Sequence, residues 1–218
     1  MKTIYIIVST LLTCALLAFI GHNFEVNYVI KTGFKMGFFL LNIWVFIMLF
    51  KSFHFKDPIN IHKMAKKEWM RLLVLGIVSA SIVLIAYIFL QPFLDMNKIK
   101  ADLVDRLGIT PVGFIFVGLY VSFGNSFLEE YFFRGYIFFN LPRKWGYMYS
   151  PLIFSAYHIP MIMLWFSPIL IFVCFIGLWV IGLVFHKVNE KNKTIWASWI
   201  IHICADIMII LIGCTLFY

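Results

Sequence analysis

Long apolar runs alternate with short polar gaps along almost the whole chain, at roughly residues 4–20, 34–50, 71–92, 111–139, 146–163, 166–186 and 195–217. These runs approach or pass the roughly 20 residues with which a helix crosses about 30 Å of hydrocarbon. Inside hydrocarbon the backbone must satisfy its own hydrogen bonds, which leaves helices or a closed barrel, and uninterrupted apolar runs lack the alternation of barrel strands. The pattern therefore predicts an all-α, polytopic transmembrane helix bundle of about seven spans. The gaps are too short for an extramembrane domain, so a single transmembrane domain over residues 1–218 is expected. The first run, behind Lys2, has the look of a signal peptide, but it ends without a small-x-small cleavage site and is read as the first span.

Composition supports lipid as the main solvent. Of 218 residues, 63% are hydrophobic and 13% charged, and the mean hydropathy is +0.95, whereas a soluble domain averages about 25% charged residues. The net charge of +8 does not indicate nucleic acid, because most basic residues sit in the gaps, where the positive-inside rule accounts for them. The gap from Lys51 to Arg71 also holds Lys56, Lys63, Lys66 and Lys67 against Asp57 and Glu68. With this gap cytoplasmic, so are those holding Arg143 and Lys144, and Lys187, Lys191 and Lys193, and the N-terminus is cytoplasmic too. Lys31 and Lys35 dissent, since they fall near the external end of the second span. From Asn60 to Trp69, Ile61, Met64, Ala65 and Trp69 recur at helical spacing among lysines, which suits either an interfacial helix or a solvated basic loop. The cysteines Cys14, Cys174, Cys204 and Cys214 all lie in apolar runs and form no C-x-x-C pair, so neither a disulfide nor a zinc knuckle is expected.

Ionisable residues inside the spans carry the chemical information, because each is costly there unless it faces a cavity or a partner. The fourth span places Glu129, Glu130 and Arg134 among aromatics, the fifth holds His158 between Phe154 and Pro160, and the seventh holds His202 and Asp206. Glu130 and Arg134 are four apart in the acid-before-base order that favours pairing on one helix face. Glu129 projects about 100° away from Glu130 and is left available for chemistry. His202 and Asp206 are likewise four apart. Counted from the cytoplasmic ends of the expected spans, Glu129, His158 and His202 lie roughly 17, 18 and 14 Å deep. His22, His54, His62 and His186 fall near span ends or in gaps, where polar residues need no special function.

At these positions the sequence resembles the CAAX protease and bacteriocin-processing enzyme family of intramembrane proteases, also called the CPBP or Abi group, which is related to the type 2 CAAX prenyl endopeptidase. The family pattern E-E-x-x-x-R, F-x-x-x-H and H-x-x-x-N/D reads here as Glu129-Glu130 with Arg134, Phe154 with His158, and His202 with Asp206. The resemblance covers about residues 111–217, and the first three spans carry no motif.

The resemblance implies an intramembrane endopeptidase. Glu129 and His158 would bind and activate a water, and His202, oriented by Asp206, would stabilise the oxyanion. Glu130 and Arg134 form a structural pair in this reading, and Phe154 serves packing. No metal is expected to be obligatory, since H-E-x-x-H is absent. The alternative is zinc held by Glu129, His158 and His202 with an open fourth position. Residue usage rich in Lys, Ile, Asn and Phe suits a low-GC bacterium, hence an integral protein of the cytoplasmic membrane. The expected substrate is a small membrane protein or peptide precursor such as a bacteriocin or signalling peptide, and the expected partners are the lipid bilayer and proteins of such a system. The competing functions are a non-catalytic bacteriocin-immunity or scaffold protein of the same fold, and a proton-relaying transporter, which would spread its polar groups across the membrane thickness.

Overall fold

The computed structural model describes residues 1–24, 27–51, 53–61 and 66–218. Along these the chain forms α1 (Lys2–Asn23), α2 (Tyr28–Phe50), α3 (Lys66–Leu90), α4 (Met96–Ala101), α5 (Pro111–Phe138), α6 (Arg143–Ile162), α7 (Pro168–Glu190) and α8 (Trp196–Cys214), with no strand among the described residues. The chain is an all-α polytopic membrane protein. Capping residues mark where helices start: Asn27 accepts from Ile30 N ahead of α2, and Thr110 accepts from Gly113 N ahead of α5, where Pro111 takes a first-turn position.

Helices α1, α2, α3, α5, α7 and α8 are long and apolar enough to cross a membrane. The remaining expected span, α6, has 20 residues, about 30 Å of rise, but lacks the apolarity of the other six. Tyr147, Tyr149, Ser150, Ser155, Tyr157 and His158 dilute it, and Pro151 and Pro160 lie within it. Neighbouring helices supply the reason: α6 buries Ser150, Pro151, Phe154 and Ser155 against them, so fewer of its residues have to be compatible with lipid. The lipid-type helices show the reverse distribution. Helix α1 exposes Ile4, Val8, Leu11 and Leu12 while burying Thr10 and Thr13.

An aromatic core joins the first hairpin to the motif helices. Phe39 of α2 stacks on Phe132 of α5 with ring centroids 3.8 Å apart, and Phe133 meets Phe154 of α6 edge-on at 5.2 Å. Polar contacts set the register of this packing. Asn42 donates to Thr13 Oγ1 at 3.0 Å, and its carbonyl accepts from Ser9 Oγ at 3.1 Å and from Tyr136 Oη at 3.0 Å. Thr10 and Tyr149 share a hydrogen bond of 2.6 Å. Helices α6 and α7 approach closely at Gly182, where an added Cβ would stand 2.8 Å from Pro151 Cβ.

Part of the basic gap after α2 is strapped to the bundle. Tyr131 Oη donates to Phe55 O (2.7 Å), Ile195 N to Pro58 O (2.9 Å) and Trp196 Nε1 to Ile59 O (3.0 Å). Of the expected interfacial helix, Met64 and Ala65 lie outside the described residues, and Trp69 belongs to α3. His186 differs from expectation: it is fully buried, stacked on Phe138 at 4.0 Å, with Nε2 3.0 Å from Ser150 Oγ. Ser150 donates its own proton to Phe133 O, so this histidine donates from Nε2 and is a packed core residue. The four cysteines are free.

Candidate active site

Helix α5 is not regular. Its segments Tyr120–Asn125 and Tyr131–Phe138 are π-helical, and between them Ser126–Glu130 is α-helical. Wider turns of this kind shift side chains off the 3.6-residue register and recur at functional sites. Here they bracket the Glu129–Glu130 pair, and both glutamates are buried, at 3% and 0% exposure.

The two carboxylates divide the site between them. Glu129 Oε1 accepts from Asn125 Nδ2 at 3.0 Å and from Lys35 Nζ at 3.5 Å, while Oε2 lies 3.7 Å from His158 Nε2. That last separation is too long for a direct hydrogen bond and suits a shared water. His158 Nδ1 is 2.8 Å from Phe154 O; a carbonyl only accepts, so Nδ1 carries a proton and, in the neutral ring, Nε2 keeps its lone pair toward Glu129.

Glu130 Oε1 binds Arg134 Nη1 at 3.0 Å and His202 Nδ1 at 2.9 Å. The buried Arg134 guanidinium lies over the rings of Phe154 (4.0 Å) and Phe185 (4.8 Å), so its charge is met by one carboxylate and two aromatic faces. Phe154 also touches both histidines edge-on, His158 at 4.7 Å and His202 at 6.2 Å between centroids. His202 Nε2 is 3.7 Å from Asp206 Oδ1. The aspartate expected to orient His202 therefore faces it without a hydrogen bond, and Glu130 holds the ring instead.

The structure thus brings together Glu129, Glu130, Arg134, Phe154, His158, His202 and Asp206, from three helices, and adds Lys35 and Asn125. The signal for Lys35 was present in the sequence, a lysine within an apolar run, but it served there as topological evidence. Its contact with Glu129 accounts for it, and Lys31 donates to Gly21 O at the end of α1. Several buried polar atoms around the site make no hydrogen bond: Asp206 Oδ2, Glu130 Oε2, Asn125 Oδ1 and Tyr120 Oη. Such atoms are where water or the polar groups of a ligand are accommodated.

The zinc alternative would need Glu129, His158 and His202 together as ligands. Glu129 and His158 come within 3.7 Å of each other, but His202 turns Nδ1 to Glu130, and no three of His, Cys, Asp and Glu are grouped to hold a metal ion among the described residues.

Comparison with known proteins follows the same stretch of chain. Residues 111–208 match the family model described as "Type II CAAX prenyl endopeptidase Rce1-like". No curated protein and no solved structure matches the chain. The matched residues contain every motif position, Glu129 through Asp206. Over residues 111–208, somewhat less than half of its length, the chain is similar to the type II CAAX prenyl endopeptidase Rce1-like family.

Proposed function

We propose that the chain hydrolyses a peptide bond of a membrane-associated or secreted peptide precursor inside the bilayer, with Glu129 as general base. The observation that carries this reading is the 3.7 Å gap between the buried Glu129 Oε2 and His158 Nε2, with His202 held by the adjacent Glu130. A water held by both atoms gives a proton to Glu129 as its oxygen attacks the scissile carbonyl carbon. A protonated His202, held at Nδ1 by Glu130, donates from Nε2 to the oxyanion. The tetrahedral intermediate then collapses, the C–N bond breaks, and Glu129 delivers the proton to the leaving amine. No metal takes part in these steps. Arg134 keeps Glu130 in place.

Residue usage supports a bacteriocin-type or signalling-peptide precursor as the substrate. The test is cleavage in proteoliposomes of two internally quenched probe sets, prenylated peptides ending in a CAAX sequence and unmodified apolar peptide precursors, with products identified by mass spectrometry. Cleavage by the wild type, its loss in Glu129→Gln and His158→Ala, and indifference to a zinc chelator are expected. Undiminished processing by both variants would remove the enzymatic reading, and chelator inhibition reversed by zinc would remove the metal-free mechanism.

A further inference from the structure

Lys35 lies outside residues 111–208 and belongs to none of the motifs. Helix α2 carries it in the run Gly33–Phe39, where its side chain is 15% exposed. A lysine at such a position is costly unless it meets a partner, and the partner is the carboxylate assigned as general base, with Nζ 3.5 Å from Glu129 Oε1.

The arrangement around that carboxylate is asymmetric. Oε1 receives two donors, Lys35 from α2 and Asn125 from the turn below on α5. Oε2 receives neither and faces His158. Pinning one oxygen fixes the plane of the carboxylate and leaves the other oxygen aimed at the water, which is the preorganisation a general base needs.

We propose that Lys35 is a positioning residue of this active centre, holding Glu129 through Oε1 so that Oε2 is presented to the attacking water. The proposal rests on the hydrolytic reading above. Lys35 neither gives nor takes a proton: the proton moves from water to Glu129 and on to the leaving amine, and the ammonium stays charged throughout. The first hairpin, α1 with α2, is then part of the working site, and the Asn42 contacts to Thr13 and Tyr136 hold it in register.

The test uses the full chain in proteoliposomes and whichever probe peptide the wild type cleaves. Lys35→Met is expected to lower kcat by about 10–100-fold with KM changed by less than about twofold, the pattern of an interaction used in the chemical step. Lys35→Arg should restore most of the rate, and ethylammonium added to Lys35→Ala should restore part of it. Lys31→Met, one turn away, should cleave like the wild type. Thermal unfolding in detergent checks that each variant is folded, and Lys35→Gln serves as a second neutral variant. Wild-type kcat in folded Lys35→Met and Lys35→Gln overturns the proposal, as does a loss that neither arginine nor ethylammonium repairs. A wild type that cleaves no probe sinks the hydrolytic reading itself and this role with it, a result distinct from a silent Lys35 variant.

Discussion

His202 Nδ1 lies 2.9 Å from Glu130 Oε1, so the second glutamate of the α5 pair holds the histidine of α8, while Asp206, one turn along α8, stays 3.7 Å from the other ring nitrogen. Glu130 therefore has two buried dependants, His202 and Arg134. Glu130→Ala should destabilise the protein by about 3–5 kcal/mol, because it leaves the arginine buried without its counter-charge. Thermal unfolding in detergent measures this, and a stability within about 1 kcal/mol of wild type would show that Arg134 finds another partner.

Glu129→Gln separates chemistry from folding. The amide oxygen can still accept from Asn125, so the helix bundle should persist, while cleavage should fall by at least about 10²-fold with loss of the general base. Circular dichroism and the quenched-peptide assay, run on the same preparation, check the two halves of this expectation.

Phe154 lies under Arg134 and beside both histidines. Truncation to alanine should cost about 3–5 kcal/mol for a buried phenylalanine. It should also lower cleavage beyond what the residual folded fraction explains, because both imidazoles lose the ring that confines them. Activity that simply tracks the folded fraction would reduce Phe154 to packing alone.

Asn42 makes three interhelical side-chain hydrogen bonds, with Ser9, Thr13 and Tyr136. At about 0.6 kcal/mol for an average bond of this kind inside a membrane protein, Asn42→Leu should cost about 2 kcal/mol, whereas Ser9→Ala should cost about 0.6 kcal/mol. Unfolding in mixed detergent micelles distinguishes the two values.

Two glycines of α7 form a matched pair for packing. Gly182→Ala places a methyl 2.8 Å from Pro151 Cβ and 3.2 Å from Pro151 Cα, and overpacking of this kind costs about 1–3 kcal/mol. Gly177 has nothing within 4 Å of an added Cβ, so Gly177→Ala should be neutral or stabilising by up to about 1 kcal/mol. Thermal unfolding of the two variants side by side tests the contrast, and equal effects would contradict the close α6–α7 approach.

The helices were legible in the sequence because a membrane span is a continuous apolar signal, and six of the expected spans meet length and apolarity together. Helix α6 shows where that signal thins: burial against protein relaxes the demand for apolar residues. The Glu130–Arg134 contact was legible because its partners are four apart on one helix, whereas the Glu130–His202 contact joins positions 72 apart and carries no local mark. Local spacing instead favoured Asp206, which the structure leaves without a hydrogen bond to the ring. The similar depths expected for Glu129, His158 and His202 assumed regular, upright helices. Helix α5 contains π-helical turns, and His158 lies only four residues before α6 ends at Ile162. Lys35 was visible as a charge out of place, but one sequence offers no way to pair it with a residue 94 positions on.

The strap between residues 53 and 61 has an implication for how the protein is assembled. Phe55, Pro58 and Ile59 are fastened by backbone carbonyls to Tyr131, Ile195 and Trp196, contacts that depend little on the identity of the side chains at 55, 58 and 59. A fragment cut just before residue 111 would retain all the recognisable motifs yet lose the tether to Tyr131 of α5 and to the start of α8, as well as the ammonium beside Glu129. The matched stretch is therefore shorter than the set of residues gathered around Glu129, and under the proposed hydrolysis chimaeras that exchange only that stretch should inherit the motifs without Lys35 or the strap.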